Sequence, residues 1–211
     1  MKGTHLILGD VHAVYCPFAD AVKFAQENSL HLVTAGDLID NGPDAYAVVE
    51  LMLQRMFMGQ ASGIMGNHEW KIIRWLRGRD VKLSGPNYPT IEAMEKHPSL
   101  KDMFARYAEK LEFQMKLSDN MFVAHAAVKP EWWIDRKDTR RSNEYNMYGN
   151  SDSSNMIEFR GQQYPNRLYN WVDDVPEGVK LFVGHDPRPM VGIPDFDNFQ
   201  ATPLSVKNKQ G

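Results

Sequence analysis

Six side chains able to bind a divalent cation stand in short motifs spread along this chain. They are Asp10 and His12 in Gly9-Asp10-Val11-His12, Asp37 in Gly36-Asp37-Leu38-Ile39-Asp40-Asn41-Gly42, Asn67 in Gly66-Asn67-His68-Glu69, His125 after Met121-Phe122-Val123-Ala124, and His185 in Gly184-His185. Each follows an apolar run of strand character, so each lies where a strand stops. Residues two apart in an extended segment point to the same side, so Asp10 and His12 present a carboxylate and an imidazole together. Such mixed oxygen and nitrogen donors suit a divalent ion. Asp37 has two carboxylate oxygens and can bridge two ions; Asn67 adds a neutral carbonyl oxygen. Singly, an Asp-x-His pair or a Gly-Asn-His is more often a turn or a helix entry. All of them after strands in one chain point to a two-metal site. Its chemistry would be hydrolysis by water made acidic between two cations, with no Ser or Cys nucleophile.

His68 adjoins Asn67, so its ring cannot point where Asn67 points. It is placed to act as a general acid on a leaving oxygen or to stabilise charge that develops on the group under attack. Asp40, three residues beyond Asp37, is the natural partner for its far ring nitrogen.

The elements that must position these groups alternate. Strands are expected at His5–Leu8, His31–Thr34 and Ser62–Met65. Helices are expected from Pro17 to near Asn28, after an Asp44 cap, and from Glu69 to Arg77. This βαβαβα order predicts neighbouring parallel strands with right-handed crossovers, and ligands at C-terminal strand ends fit where α/β sheets place their sites. After Gly78 the pattern changes. Gly85-Pro86-Asn87-Tyr88-Pro89 reads as a loop and 90–117 as mostly helical, broken near His97-Pro98. Met121–Ala124 and Lys180–Val183 read as short buried strands. Between them, 129–164 is polar and aromatic with little periodicity, expected to be an insert or lid.

The bulk properties bound the rest. A chain of 211 residues with net charge −3 is expected to be one domain, 1–211, with no general affinity for polyanions. One cysteine, Cys16, excludes an internal disulfide and fits a reducing, cytoplasmic setting, with packing its expected role. No apolar run nears the roughly 20 residues of a membrane helix. Trp132, Trp133, Arg136, Lys137, Arg140 and Arg141 mix aromatics with cations, but Asp135 and Asp138 dilute the field, so nucleic acid is not the favoured partner of the insert.

From Leu6 to Arg188 the motifs quoted above resemble the calcineurin-like metallophosphoesterase superfamily. The run Gly36-Asp37-Leu38-Ile39-Asp40-Asn41-Gly42-Pro43 followed by Gly66-Asn67-His68-Glu69 is most similar to one branch of it. That branch holds Ser/Thr protein phosphatases, diadenosine tetraphosphatases and the phosphatase module of bacterial polynucleotide kinase-phosphatases. The resemblance implies an α+β, four-layer αββα sandwich with the metals above the sheet edges. It implies one ion on Asp10, His12 and Asp37, a second on Asp37, Asn67, His125 and His185, and the same Asp40–His68 pairing. Two departures stand out. Asn41 occupies the place where many phosphatases of this branch have a phosphate-gripping Arg, and Arg188 is the expected substitute, with Lys71, Arg160 and Arg167 behind it. Pro187 occupies the place of a further His in nuclease-type members. The stretch 206–211 leads toward a strand that related enzymes continue, so a C-terminal strand is expected to be missing.

The leading expectation is a phosphatase hydrolysing phosphomonoesters, on phosphoprotein or a nucleotide-type substrate, by attack of a hydroxide bridging two divalent ions. Manganese is the first choice of ion, with iron, zinc, nickel or magnesium also compatible. Asn41, Asn67 and Arg188 would contact the substrate. The alternative is a phosphodiesterase or dinucleoside polyphosphate hydrolase. A non-catalytic scaffold is disfavoured because all six ligands and His68 are present.

Overall fold

The computed structural model describes residues 4–129, 140–159, 162–168 and 170–185. Its first half is a βαβαβα unit: β1 (His5–Leu8), α1 (Tyr15–Glu27), β2 (His31–Thr34), α2 (Ala45–Phe57), β3 (Ala61–Gly63) and α3 (Asn67–Leu76). The three strands form a parallel sheet in the order β1-β2-β3, with His5 opposite His31 and Leu32 opposite Ala61. A second sheet joins β4 (Gln114–Ser118) antiparallel to β5 (Met121–Ala124), which runs parallel to β8 (Lys180–Phe182).

Two strands show how the layers stack, because successive side chains leave a strand on opposite faces. In β2, Leu32 joins a helix-side core with Phe18, Val22, Met52, Ile72 and Phe104, whereas Val33 joins a second cluster with Ala35, Ile64 and Val123. Val123 comes from β5, so this second cluster is the seam between the sheets, flanked by Ile7, Met115, Leu117 and Phe182. The neighbours of Val123, Phe122 and Ala124, face away into a third cluster with Val128, Val175 and Leu181. Burying a Val or Leu side chain fully stabilises by roughly 1.5–3 kcal/mol. The seam therefore fixes the spacing of the two sheets, and with it the spacing of groups at their ends.

Several boundaries differ from those expected. Asp44 stands before α2, yet its carboxylate accepts the Tyr15 N–H at 3.2 Å instead of capping its own helix. That bond ties the start of α1 to the start of α2. Gly85–Asn87 forms a 3₁₀ turn running into α4 (Tyr88–Lys96), so the expected loop is largely helical. Pro89 is tolerated there because a helix's first turn needs no N–H partner. The helical stretch after Thr90 is shorter than expected: α5 (Ser99–Ala108) ends it, and 114–118 is strand. Met115 and Leu117 alternate with polar residues, a period-two signal too short to stand out beside the preceding helices.

The insert is ordered where it is described. It contains α6 (Arg140–Tyr148) and an antiparallel hairpin of β6 (Asn150–Phe159) and β7 (Gln162–Leu168). Arg140 and Arg141 are exposed at the start of α6, and Arg140 pairs with Glu144 at 3.0 Å. Trp132, Trp133, Arg136 and Lys137 lie outside the described residues, as do Arg160, Pro187, Arg188 and 206–211. Cys16 is exposed in the first turn of α1, not packed as expected. Among the described residues, no helix is long and apolar enough to cross a membrane.

Candidate active site at the strand ends

The loops after β1 and β2 are laced together by backbone bonds. The Asp37 carbonyl accepts from Val11 N at 3.0 Å and His12 N at 2.9 Å, Ala13 N donates to the Leu38 carbonyl, and Gly42 N donates to the His12 carbonyl. His12, Asp37, Asp40, Asn41 and His185 all have positive φ, from 49° to 72°. Such conformations cost a non-glycine residue about 1–3 kcal/mol each and persist only when the surroundings hold them. Here the lacing holds them. Glycines admit close approaches: a Cβ at Gly66 would overlap Asp37 Oδ1, and one at Gly184 would overlap Asp10 Oδ1.

Glu69 is the residue whose role the motif did not disclose. Fully buried in the first turn of α3, it accepts the N–H groups of Asp37 and Leu38 at 2.8 Å, Ile39 at 3.3 Å and Gly66 at 3.1 Å. One carboxylate thus bolts the β2 loop to the start of α3. Burial pushes its pKa up to about 7, with the Asp37 charge adding to the shift and His125 and His68 opposing it. The Gly66-x-x-Glu69 spacing could have suggested only half of a capping box, Glu69 reaching back to the Gly66 N–H, and not its reach to the β2 loop.

The six expected donors converge. One atom each of His12, Asp37 and His68 lie within 4.8 Å of one another, and so do Asp37, His125 and His185. Asp37 belongs to both groups, as a shared carboxylate must. Asn67 Oδ1 lies 2.9 Å from His125 Nε2. Asp10 reaches the same place differently: both its oxygens accept the His185 N–H, at 2.9 and 3.1 Å, and His12 Nε2 is 3.8 Å from Oδ2. His68 therefore stands with His12 and Asp37, where the resemblance implies Asp10 as their third partner.

The electrostatics of this cluster are those of a cation site. Burial alone would raise the Asp37 pKa, but His125 at 3.3 Å, with His68 and His185, holds it well below the usual carboxylate range. Burial raises that of Asp10, and Asp37 adds to it. Burial would lower His125, yet Asp37 brings it up to about 9. Burial also works against His68, which the Asp40 hydrogen bond and Asp37 raise to about 9. His185 is pressed well below its usual value by burial, by His125 and by the charge of Arg167.

The residues fit a pair of divalent cations. His125 Nδ1 lies 2.8 Å from the Ala35 carbonyl and His12 Nδ1 3.1 Å from the Ile39 carbonyl, so in both rings Nε2 is the nitrogen left to face a cation once it has lost its proton. His185 Nδ1 and His125 Nε2 are 3.0 Å apart, a contact that requires a proton or a cation between them. His185 Nε2 is buried with no hydrogen-bond partner among the described residues.

His68 and Asp40 pair as expected, Nδ1 to Oδ2 at 2.7 Å. Asn41 is at the rim, its amide 3.0 Å from His12 Nδ1. Of the cations expected to compensate for it, Arg167 donates to the Tyr148 carbonyl, and the Tyr148 ring meets His185 edge-on at 6.4 Å between centroids. Lys71 is half-buried on α3, and Arg188 and Arg160 lie outside the described residues.

Two facing sheets with carboxylate, amide and imidazole donors gathered at their strand ends define a metal-dependent hydrolase. The chain belongs to the calcineurin-like phosphoesterase family, whose model matches residues 4–209. It is 29% identical over 197 residues to the bis(5'-nucleosyl)-tetraphosphatase PrpE (asymmetrical) of Oceanobacillus iheyensis, covering 86% of this chain and 76% of that one. It is 30% identical over 171 residues to the protein of the same name from Bacillus velezensis, covering 76% of this chain and 65% of that one. A crystal structure named as a candidate diadenosine tetraphosphatase shares the fold, with a TM-score of 0.56, 23% identity, and coverage of 90% and 78% of the two chains. The protein is thus a phosphoesterase of a family that uses divalent metal ions. The similarities favour the dinucleoside polyphosphate alternative over the phosphomonoesterase first expected.

Proposed function

We propose that the protein splits the phosphate chain of a dinucleoside tetraphosphate unequally, into a nucleoside triphosphate and a nucleoside monophosphate. The observation that carries this reading is the similarity, along 86% of the chain, to a protein named for that reaction. The site agrees with it. A terminal phosphomonoester is a dianion best gripped by a charged bidentate fork, which neutral Asn41 cannot supply. An internal phosphate of a bridge carries one charge and asks less.

In this reading Asp10, His12, Asp37, Asn67, His125 and His185 hold two divalent cations, manganese first among them, with Asp37 shared. When bound, such a pair polarises a phosphoryl oxygen and makes water acidic near neutrality. The chain's own residues do the remaining work. His68, kept protonated by Asp40, gives a proton to the departing phosphate oxygen. Arg167, close enough for its charge to act on His185, supplies the cation that Asn41 lacks. The half-exposed ring of Tyr148 lies at the edge of the cluster, where a nucleobase can stack. A single exposed cysteine suits a reducing compartment such as the cytoplasm.

The test is a manganese-reconstituted assay of diadenosine tetraphosphate, bis-p-nitrophenyl phosphate and p-nitrophenyl phosphate, with products separated chromatographically. Equimolar triphosphate and monophosphate should appear from the first, at the highest kcat/KM of the three. Arg167→Ala should raise its KM about 10-fold with kcat held, the pattern of lost uniform binding. Turnover confined to the monoester, or two equal diphosphate products, would overturn the reading.

A further inference from the structure

The turn between α3 and α4, which reads from sequence as a bare loop, is anchored on the catalytic pair. Asn41 N donates to the Pro86 carbonyl at 2.8 Å, and Asp40 N donates to Thr90 Oγ1 at 3.0 Å. The third bond is between side chains: Asn87 Nδ2 donates to Asp40 Oδ2, the same oxygen that accepts from His68 Nδ1. Asp40, Asn87 and Thr90 are all fully buried. We propose that Asn87 is a positioning residue for the reaction, holding the Asp40 carboxylate in the one orientation that aims His68 at the reacting phosphate. The proposal rests on His68 being the proton donor.

Two features make the orientation specific. Asn87 Oδ1 accepts the Ser84 N–H at 3.0 Å, which assigns the oxygen end of the amide and leaves the NH₂ end to face Asp40. Asp40 Oδ1 is buried without a hydrogen-bond partner among the described residues, so everything that orients the carboxylate acts on Oδ2. Without Asn87 the carboxylate is free to rotate about its Cβ–Cγ bond, offering His68 either oxygen and no fixed ring plane. His68 would still be bound to a carboxylate, but its outward nitrogen would wander. A misplacement of about an ångström is enough to slow a proton transfer severely. Asn87 touches no substrate and acts only through Asp40.

The experiment is a double-mutant cycle in the full-length, metal-loaded protein, on whichever phosphoester the wild type turns over fastest. Asn87→Ala should lower kcat about 10- to 100-fold, the range for outer partners of functional groups, with KM within about two-fold and metal content unchanged. Adding it to His68→Ala should cost nothing more, because the group it positions is gone. A structural role would instead make the two losses multiply. Multiplying losses, or an Asn87→Ala protein with normal kcat, would overturn the proposal. Undiminished kcat in His68→Ala would sink the proton-donor reading, and this one with it. Asn87→Ser, which keeps a short hydroxyl, should recover part of the loss; collapse of the fold in both variants would make Asn87 structural and overturn the proposal as well.

Discussion

The two halves of the site are built differently. On the side of the parallel sheet, Asp10, His12 and Asp37 sit on loops laced by backbone hydrogen bonds, Asn67 and His68 open α3, and the buried Glu69 carboxylate clamps that helix start to the β2 loop. On the other side, His125 and His185 end two short strands, β5 and the three-residue β8. His185 has φ of 72° and is held by its N–H to Asp10 and by the Gly184 N–H to the His125 carbonyl at 2.9 Å. The first half is rigid before any cation arrives. The second is joined to it by the apolar seam around Val33 and Val123, and at the site itself by charged and imidazole groups that a cation would bridge. Asp37 is where the halves meet.

Replacing that shared carboxylate should have the largest effect. Asp37→Asn keeps the shape but removes a charge from both donor groups. Activity should fall at least about 10³-fold, because the water-activating chemistry of a metal pair goes with its bridge. Metal content after gel filtration should drop in parallel. A variant that retained both metals would show that the halves are joined elsewhere.

A second substitution acts on the rigid half alone. In Glu69→Gln, whichever way the amide turns, its NH₂ group faces two backbone N–H donors, those of Asp37 and Gly66 or those of Leu38 and Ile39. Leaving buried donors unpaired costs about 1–3 kcal/mol each, so a total near 3 kcal/mol is expected. For a chain of this size that lowers Tm by about 6–12 °C. Were Tm unchanged, the lacing between the β1 and β2 loops would suffice without Glu69.

The same contrast explains what the sequence disclosed. Asp10, His12, Asp37, Asn67, Asp40 and His68 were legible because each follows a regular parallel strand, and the spacing from strand end to ligand is short. His125 and His185 were legible only as histidines after apolar runs, since the elements around them have little periodicity. β4 was hidden because Met115 and Leu117 give two turns of alternation after a long helical pattern. Asn87 and Thr90 were invisible, because a side chain reaching 47 or 50 residues back to Asp40 leaves no local signal. Glu69 was named in its motif but not assigned, because burial and four converging N–H groups are properties of the fold, not of the spacing.

The smallest effect expected distinguishes the halves by their protons. In metal-free protein His68 and His125 have pKa values raised to about 9, above an unfolded value near 6.5. The folded state then binds protons that the unfolded chain gives up. Their contribution to stability is complete below about pH 6.5 and is lost as pH rises through 9. Glu69, raised to about 7, acts in the same direction between its unfolded value of 4.5 and about pH 7, below the interval of the two histidines. His185 and Asp37 are shifted downward, so their contributions are lost only as pH falls below their unfolded values, outside the upper part of this range. Tm of the metal-free protein should therefore decline between pH 7 and 9 by several degrees. Manganese needs the imidazoles deprotonated, so the increase in Tm it confers should grow over the same interval. His68→Asn should remove part of the metal-free decline from the rigid half, and His125→Asn part from the other. If only one substitution flattens the curve, the proton that stands in for a cation belongs to that half, and a decline left intact by both would mean the cluster is neutral where its geometry requires charge.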